Sequence, residues 1–169
     1  MICPGCYEPN TPGVDSCGRC GCDLTADDRP APRDRVERSL MTHAVDGLDP
    51  RSAVTVTAET PLAEVMRRMI ASEAGAVLVV DAAGLLVGIL TERDFLTRVA
   101  GAPGFAEAAV RDFMTRDPET VAATDPVMFA LGKMATGHYR HITIVTAGRP
   151  VGVLSVRDVL RHVVAQAGA

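Results

Sequence analysis

The 169-residue sequence has no tryptophan, only two tyrosines and four phenylalanines, an aromatic share of 4%. So few rings weaken any reading as a stacking platform for single-stranded nucleic acid. Excess positive charge is also missing: 17 Lys plus Arg stand against 21 Asp plus Glu, for a formal net charge of −4. The whole chain is therefore no basic clamp for a phosphate backbone, and nucleic acid would need a local patch. No apolar run reaches the roughly eighteen residues of a membrane-spanning helix. The start, Met1-Ile2-Cys3-Pro4-Gly5-Cys6, carries neither the charged leader nor the apolar stretch of an export signal. A soluble protein of the reducing cytoplasm is expected. There is no G-x-S-x-G elbow, no H-E-x-x-H helix and no phosphate loop of the G-x4-G-K-[ST] kind, so a non-enzymatic role is expected as well.

What the sequence does have begins with its hydrophobic share of 47%, enough at this length for one well-buried body plus a small appendage. All five cysteines lie at the start: Cys3, Cys6, Cys17, Cys20 and Cys22. Two C-x2-C pairs can turn four sulfurs around one ion, and four thiolates suit a structural zinc site with no open position for substrate. Cys3, Cys6, Cys17 and Cys20 are the expected ligands, with Cys22 as the spare, although Cys20 and Cys22 can exchange roles. Iron suits the same set. Disulfides are the alternative, disfavoured by an odd cysteine count and a reducing compartment. The segment resembles a zinc ribbon over residues 1–24, with metal binding supplying its folding energy. Residues 25–36, containing Asp27-Asp28-Arg29-Pro30-Ala31-Pro32-Arg33, read as an extended linker.

Beyond the linker the sequence is written twice. Gly88, Thr91 and Asp94 recur with the same spacing as Gly152, Ser155 and Asp158, and Thr60-Pro61-Leu62 answers to Asp125-Pro126-Val127. Further upstream Met41-Thr42 is matched with Met114-Thr115, which places an insertion in the first copy near Gly47-Leu48-Asp49-Pro50. Each copy reads strand, helix, strand, strand, helix. Thr60 is expected to cap a helix that accepts Pro61 in its first turn, with Leu62, Val65, Met66, Met69 and Ile70 on the core face. Asp81-Ala82-Ala83-Gly84 marks a hairpin between two dense apolar strands. The fold class is α/β.

A Thr or Ser followed three residues later by Asp at a helix start is a capping arrangement that needs no ligand. The same residues also suit a ligand: a helix N-terminus attracts phosphate, and the carboxylate can accept from two ribose hydroxyls. Gly88 and Gly152 on the preceding strands would let that ligand approach the backbone.

The ordered set of motifs, present in both copies, resembles a tandem pair of CBS domains, the module named after cystathionine β-synthase. The resemblance covers residues 37–101 and 107–165 and includes the Arg140–Val145 strand and both G-h-x-[TS]-x-x-D ends. It implies two pseudo-twofold-related β-α-β-β-α units with two clefts between them that take adenosyl compounds such as AMP, ATP or S-adenosylmethionine. Carried over, the roles fall on Thr91 with Asp94 and on Ser155 with Asp158. Arg140 or His141 would face the phosphates of the second cleft, while Val153, Ala76 and Val54 would line the adenine. The first copy has the uncharged Gly75-Ala76-Val77 where the second has its cations, so the cleft of Ser155 and Asp158 is favoured. Arg140 is alternatively a solvated strand-edge cation. The resemblance further implies a homodimer and a regulatory module coupling an adenine nucleotide to a protein partner through the ribbon. The alternative is an adaptor whose ribbon contacts nucleic acid or protein while the pair serves as a dimerisation scaffold. With Arg19 as the cation within the ribbon, nucleic-acid affinity would be modest.

Overall fold

The computed structural model describes Cys3 and residues 8–19, 21–25 and 32–168. Its regular elements are α1 (Arg35–Thr42), β1 (Arg51–Ser52), β2 (Thr55–Thr57), α2 (Leu62–Ala71), β3 (Ala76–Val80), β4 (Leu86–Thr91), α3 (Glu92–Asp94), β5 (Thr115–Arg116), β6 (Thr120–Ala122), α4 (Val127–Gly137), β7 (His141–Thr146), β8 (Arg149–Ser155) and α5 (Val156–Ala167). The repeat is thus β2-α2-β3-β4-α3 in the first copy and β6-α4-β7-β8-α5 in the second. None of the helices among the described residues is long and apolar enough to cross a membrane.

The chain divides into two compact units. One comprises residues 1–49, 123–140 and 155–169; the other comprises residues 50–122 and 141–154. The second unit holds both four-stranded sheets, ordered β1-β8-β7-β6 and β2-β3-β4-β5. In the latter sheet β3 is covered on both faces, which is why its sequence is apolar without alternation. Val77 and Val79 pack with Leu62, Val65 and Met69 of α2, while Ala76 and Leu78 pack with Ile89 and Val153. The hairpin after β3 closes as expected, with Asp81 Oδ1 accepting from the amides of Ala83 at 2.9 Å and Leu85 at 2.8 Å. The expected stripe on α2 loses one member: Ile70 is 76% exposed.

The upstream register of the repeat needs correction. Within the second unit, Pro61 bridges Ala109, and the amides of Leu62 and Val110 bond to the carbonyls of Ala108 and Thr60. Within the first unit, Ala44 bridges Pro126, and the amides of Val127 and Val45 bond to the carbonyls of His43 and Asp125. These contacts are counterparts, pairing Ala44-Val45 with Ala109-Val110. Met41-Thr42 lies in α1, so it does not correspond to Met114-Thr115, and no insertion is needed near Gly47-Leu48-Asp49-Pro50. The segment leading into each copy docks on the helix start of the other. The edge strands follow suit: β1 pairs with β8 and β5 with β4.

This docking also explains why Thr60 does not cap α2. The amides of Leu62 and Ala63 are taken by the carbonyls of Ala108 and Ala106, so the helix start is satisfied by main chain. Thr60 Oγ1 instead accepts from the Thr57 amide at 3.2 Å.

Candidate functional site

The expected site residues fall into two groups, because the chain passes between the units at Arg140–His141 and again at Leu154–Ser155. In the first unit, Ser155 ends β8 and caps the twelve-residue helix α5. Its amide and hydroxyl both donate to Asp158 Oδ2, at 2.7 and 2.5 Å, and the Asp158 amide lies 3.4 Å from the hydroxyl. The local reason is the capping box, in which a hydroxyl and an acid three residues on satisfy one another's main-chain donors. Asp158 is only 3% exposed, and its other oxygen, Oδ1, faces Arg161 at 2.9 Å. Arg161 is a neighbour that the repeat pattern did not mark, although its place one turn after Asp158 was visible in the sequence.

Arg140 stands at the same helix start. Its carbonyl accepts from the Val156 amide at 3.0 Å, which fixes its backbone against the first turn of α5. The side chain is exposed and makes no ion pair among the described residues. The backbone of Arg140 is therefore fixed beside the helix N-terminus that Ser155 caps, with the Asp158 carboxylate held one turn in. Such an end carries partial positive charge and favours anions.

In the second unit, the first copy's box repeats the geometry. The Thr91 amide and hydroxyl donate to Asp94 Oδ2 at 2.9 and 2.7 Å, while Asp94 Oδ1 lies 3.8 Å from Arg98. The helix it starts is short, α3 giving way to a wider turn over Phe95–Val99. His141 is half-buried, its Nε2 only 2.8 Å from where a Cβ on Gly75 would stand, with Glu92 Oε2 3.6 Å from the same point. A side chain at Gly75 would displace His141, so the glycine opposite the second copy's basic strand start is a close approach. Glu92, an acid beside the expected phosphate-facing histidine, went unmarked in the repeat.

The expected adenine-lining residues are not assembled as one wall. Ala76 and Val153 are buried in one cluster with Leu78 and Ile89, joined by Ala53 and Leu86. Val54 packs instead against the cluster around α2. Ala53 and Val54, in the two-residue link between β1 and β2, thus pack into different clusters. The glycines also serve the chain itself. A Cβ on Gly88 would fall on Met114 Sδ and lie 3.2 Å from the Thr115 carbonyl, and one on Gly152 would lie 3.1 Å from the Arg51 carbonyl. The close approach at each glycine is made by the neighbouring edge strand rather than left open for a ligand. An open cleft of about 260 Å³ in this unit is lined by Leu86, Asp117, Pro118, Thr120, Val145 and Gly148, none of them an expected site residue.

Of the expected metal ligands, Cys6 and Cys20 lie outside the described residues. Cys3 and Cys17 are buried together with Leu24, and Cys22 packs beside them. The Cys17 amide donates to the Cys22 carbonyl at 2.8 Å, and Gly21 turns back to the Cys17 carbonyl at 2.9 Å with a positive φ of 71°. Asn10 Nδ2 donates to Cys17 Sγ at 3.4 Å, a contact that suits a sulfur carrying negative charge. Among the described residues no three His, Cys, Asp or Glu side chains converge on a metal position.

Comparison with known proteins gives a consistent picture. The sequence matches the family model of the CBS domain twice, over residues 38–101 and 110–165. The CBS domain-containing protein CBSCBSPB5 of Arabidopsis thaliana is 36% identical over 115 residues, 68% of this chain and 21% of that protein. The match thus spans about a fifth of that relative's length. Among solved structures, the CBS-domain containing protein ATU1752 of Agrobacterium tumefaciens is 30% identical with a TM-score of 0.65, covering 71% of this chain and 98% of that one. The CBS domain protein PAE2072 of Pyrobaculum aerophilum, solved in complex with AMP, is 25% identical with a TM-score of 0.63, covering 73% and 99%.

Proposed function

Because the chain belongs to the CBS-domain family, we propose that it is a non-enzymatic regulatory module that binds an adenosyl ligand and couples its occupancy to a partner. The observation carrying this reading is the first unit's helix start, where Arg140, exposed and without an ion pair among the described residues, is tied through its carbonyl to the Val156 amide. A phosphate there meets a guanidinium and a helix N-terminus together. Ser155 offers a hydroxyl beside it. Asp158 Oδ1 accepts ribose hydroxyls once Arg161 swings from it, a small rearrangement for an exposed side chain. The AMP bound to the Pyrobaculum relative supports the ligand class. Thr91 with Asp94 forms the second, weaker subsite, lacking a strand-start cation. The functional modules are 37–101 and 107–165, and the setting is cytoplasmic.

The test is a melting-temperature screen against AMP, ADP, ATP, S-adenosylmethionine and NAD. A ligand at 100 times its Kd adds about 2.7 kcal/mol of stability, a readily seen shift. Arg140→Ala should remove most of that shift while leaving the melting of the free protein unchanged. No shift with any of the five contradicts the ligand reading and favours a scaffold.

The cysteine segment 1–24 is proposed to hold one zinc ion through Cys3, Cys6, Cys17 and Cys20, acting structurally and presenting a surface to a protein partner. The buried Cys3 and Cys17 and the Asn10 donor support it. Elemental analysis of protein kept reduced should return one zinc per chain; protein with neither zinc nor iron refutes the site. A homodimer is proposed through apolar side chains left exposed on helices, Leu160 and Val164 of α5 among them.

A further inference from the structure

Two of the four histidines in the sequence meet at a serine in the first unit, and neither has a role above. Ser39, on α1, is 5% exposed. Its Oγ lies 2.5 Å from His162 Nε2 of α5 and 3.1 Å from His43 Nδ1, the residue that ends α1. The two rings are 4.9 Å apart at 60°. His43 Nδ1 also lies 3.1 Å from the Ser39 carbonyl.

A hydroxyl has one proton to donate and lone pairs to accept with. With both rings neutral, Ser39 donates to one imidazole and accepts from the other. With one ring protonated the chain of bonds still closes, since the cation donates to Oγ and the serine proton goes to the neutral ring. With both protonated it cannot close. Two N–H groups then aim at one oxygen, the serine proton loses its imidazole acceptor, and two cations face each other beside a buried serine. The cluster accepts one proton and is broken by a second.

The charged groups on the surrounding elements do not relieve this. On α1, Glu37 is engaged by the Arg33 amide, and Arg35 and Arg38 are cations. On α4, Lys133 lies over the Phe129 ring. On α5, Asp158 is held by Ser155 and Arg161, leaving Arg157 as a further cation. The 3-10 turn packed on α5 carries Asp46, whose amide bonds to the Ala123 carbonyl. Burial first and His43 second hold the His162 imidazole below its ordinary range, with no carboxylate opposing them.

We propose that Ser39, His43 and His162 form a proton-operated clasp that holds α1 on α5 at neutral pH and releases it on mild acidification. Since a histidine ionising less readily in the folded state favours folding only above its unfolded range, near pH 6.5, docking is firm above that pH and lost below it. Release frees the helix that follows the cysteine segment and linker, so the switch acts on the attachment of the N-terminal arm.

Hydrogen exchange of the full chain, corrected for the intrinsic pH dependence of exchange, tests this. Protection of residues 35–43 should fall between pH 7.5 and 5.5, by at most about tenfold per pH unit for each proton taken up on opening. Protection of β3 should stay level. His162→Gln and His43→Gln each keep a polar partner for Ser39 that does not titrate, so either should flatten the pH dependence of α1. His138→Asn, a control at the exposed left-handed residue ending α4, should leave it as in the natural protein. Flat protection of α1 in the unsubstituted chain overturns the clasp, as does an unchanged pH slope in a folded His162→Gln or His43→Gln variant.

Discussion

The two capping boxes carry a hydroxyl residue and an aspartate at the same spacing and lead to different helices. Ser155 and Asp158 start a helix of twelve residues, and Asp158 is buried. Thr91 and Asp94 start a three-residue helix that loosens into a wider turn, and Asp94 is half-buried. The first has Arg161 at 2.9 Å from its second carboxylate oxygen; the other has Arg98 at 3.8 Å. A motif with the same local chemistry therefore acquires its weight from what surrounds it. The residue before each box differs as well: the Arg140 carbonyl accepts from the Val156 amide at the start of α5, and the Gly75 carbonyl accepts from the Glu92 amide at the start of α3.

The comparison can be broken first by removing the acids. Asp158→Ala strips acceptors from the Ser155 amide and hydroxyl in a buried setting, and should cost about 2–4 kcal/mol, combining a lost cap with stranded donors. Asp94→Ala, in a more solvated box, should cost about 1 kcal/mol. Urea midpoints of the two variants check this, and equal losses would remove the distinction between the boxes.

A smaller effect separates the paired glycines. Gly152→Ala pushes a methyl group toward the Arg51 carbonyl, a main-chain atom fixed by strand pairing. Gly88→Ala meets chiefly the flexible end of Met114. Both should destabilise, by about 1–3 kcal/mol, with Gly152→Ala the costlier. Thermal unfolding of the two purified variants decides the order.

How legible was this in the sequence? The duplicated apolar strands, the hairpin at Asp81–Gly84 and the two boxes were readable because their signals are local: alternation, turn chemistry and residue spacing. Lost to such reading were features fixed by pairing across the chain. Met41-Thr42 resembles Met114-Thr115 in letters, yet one lies in a helix and the other leads into an edge strand, because the Ala44 and Ala109 segments cross to the opposite helix starts. The role of Thr60 vanished for the same reason, its capping work being done by Ala106 and Ala108 carbonyls from far along the chain. Ile70 fits a helical stripe by spacing but lies at the stripe's outer edge and is 76% exposed. The site was half legible. Ser155 and Asp158 bond to each other at the start of α5 with the Arg140 carbonyl on the same helix end, whereas the three apolar residues expected around adenine divide between two clusters.

The account rests on ligand contact at the start of α5, and amide-resolved NMR during titration with AMP reads that directly. The account predicts that resonances of Arg140 and of residues 155–158 shift first and saturate, with those of residues 91–94 moving less or later. Shifts confined to residues 91–94, or none at either helix start at millimolar AMP, would contradict it.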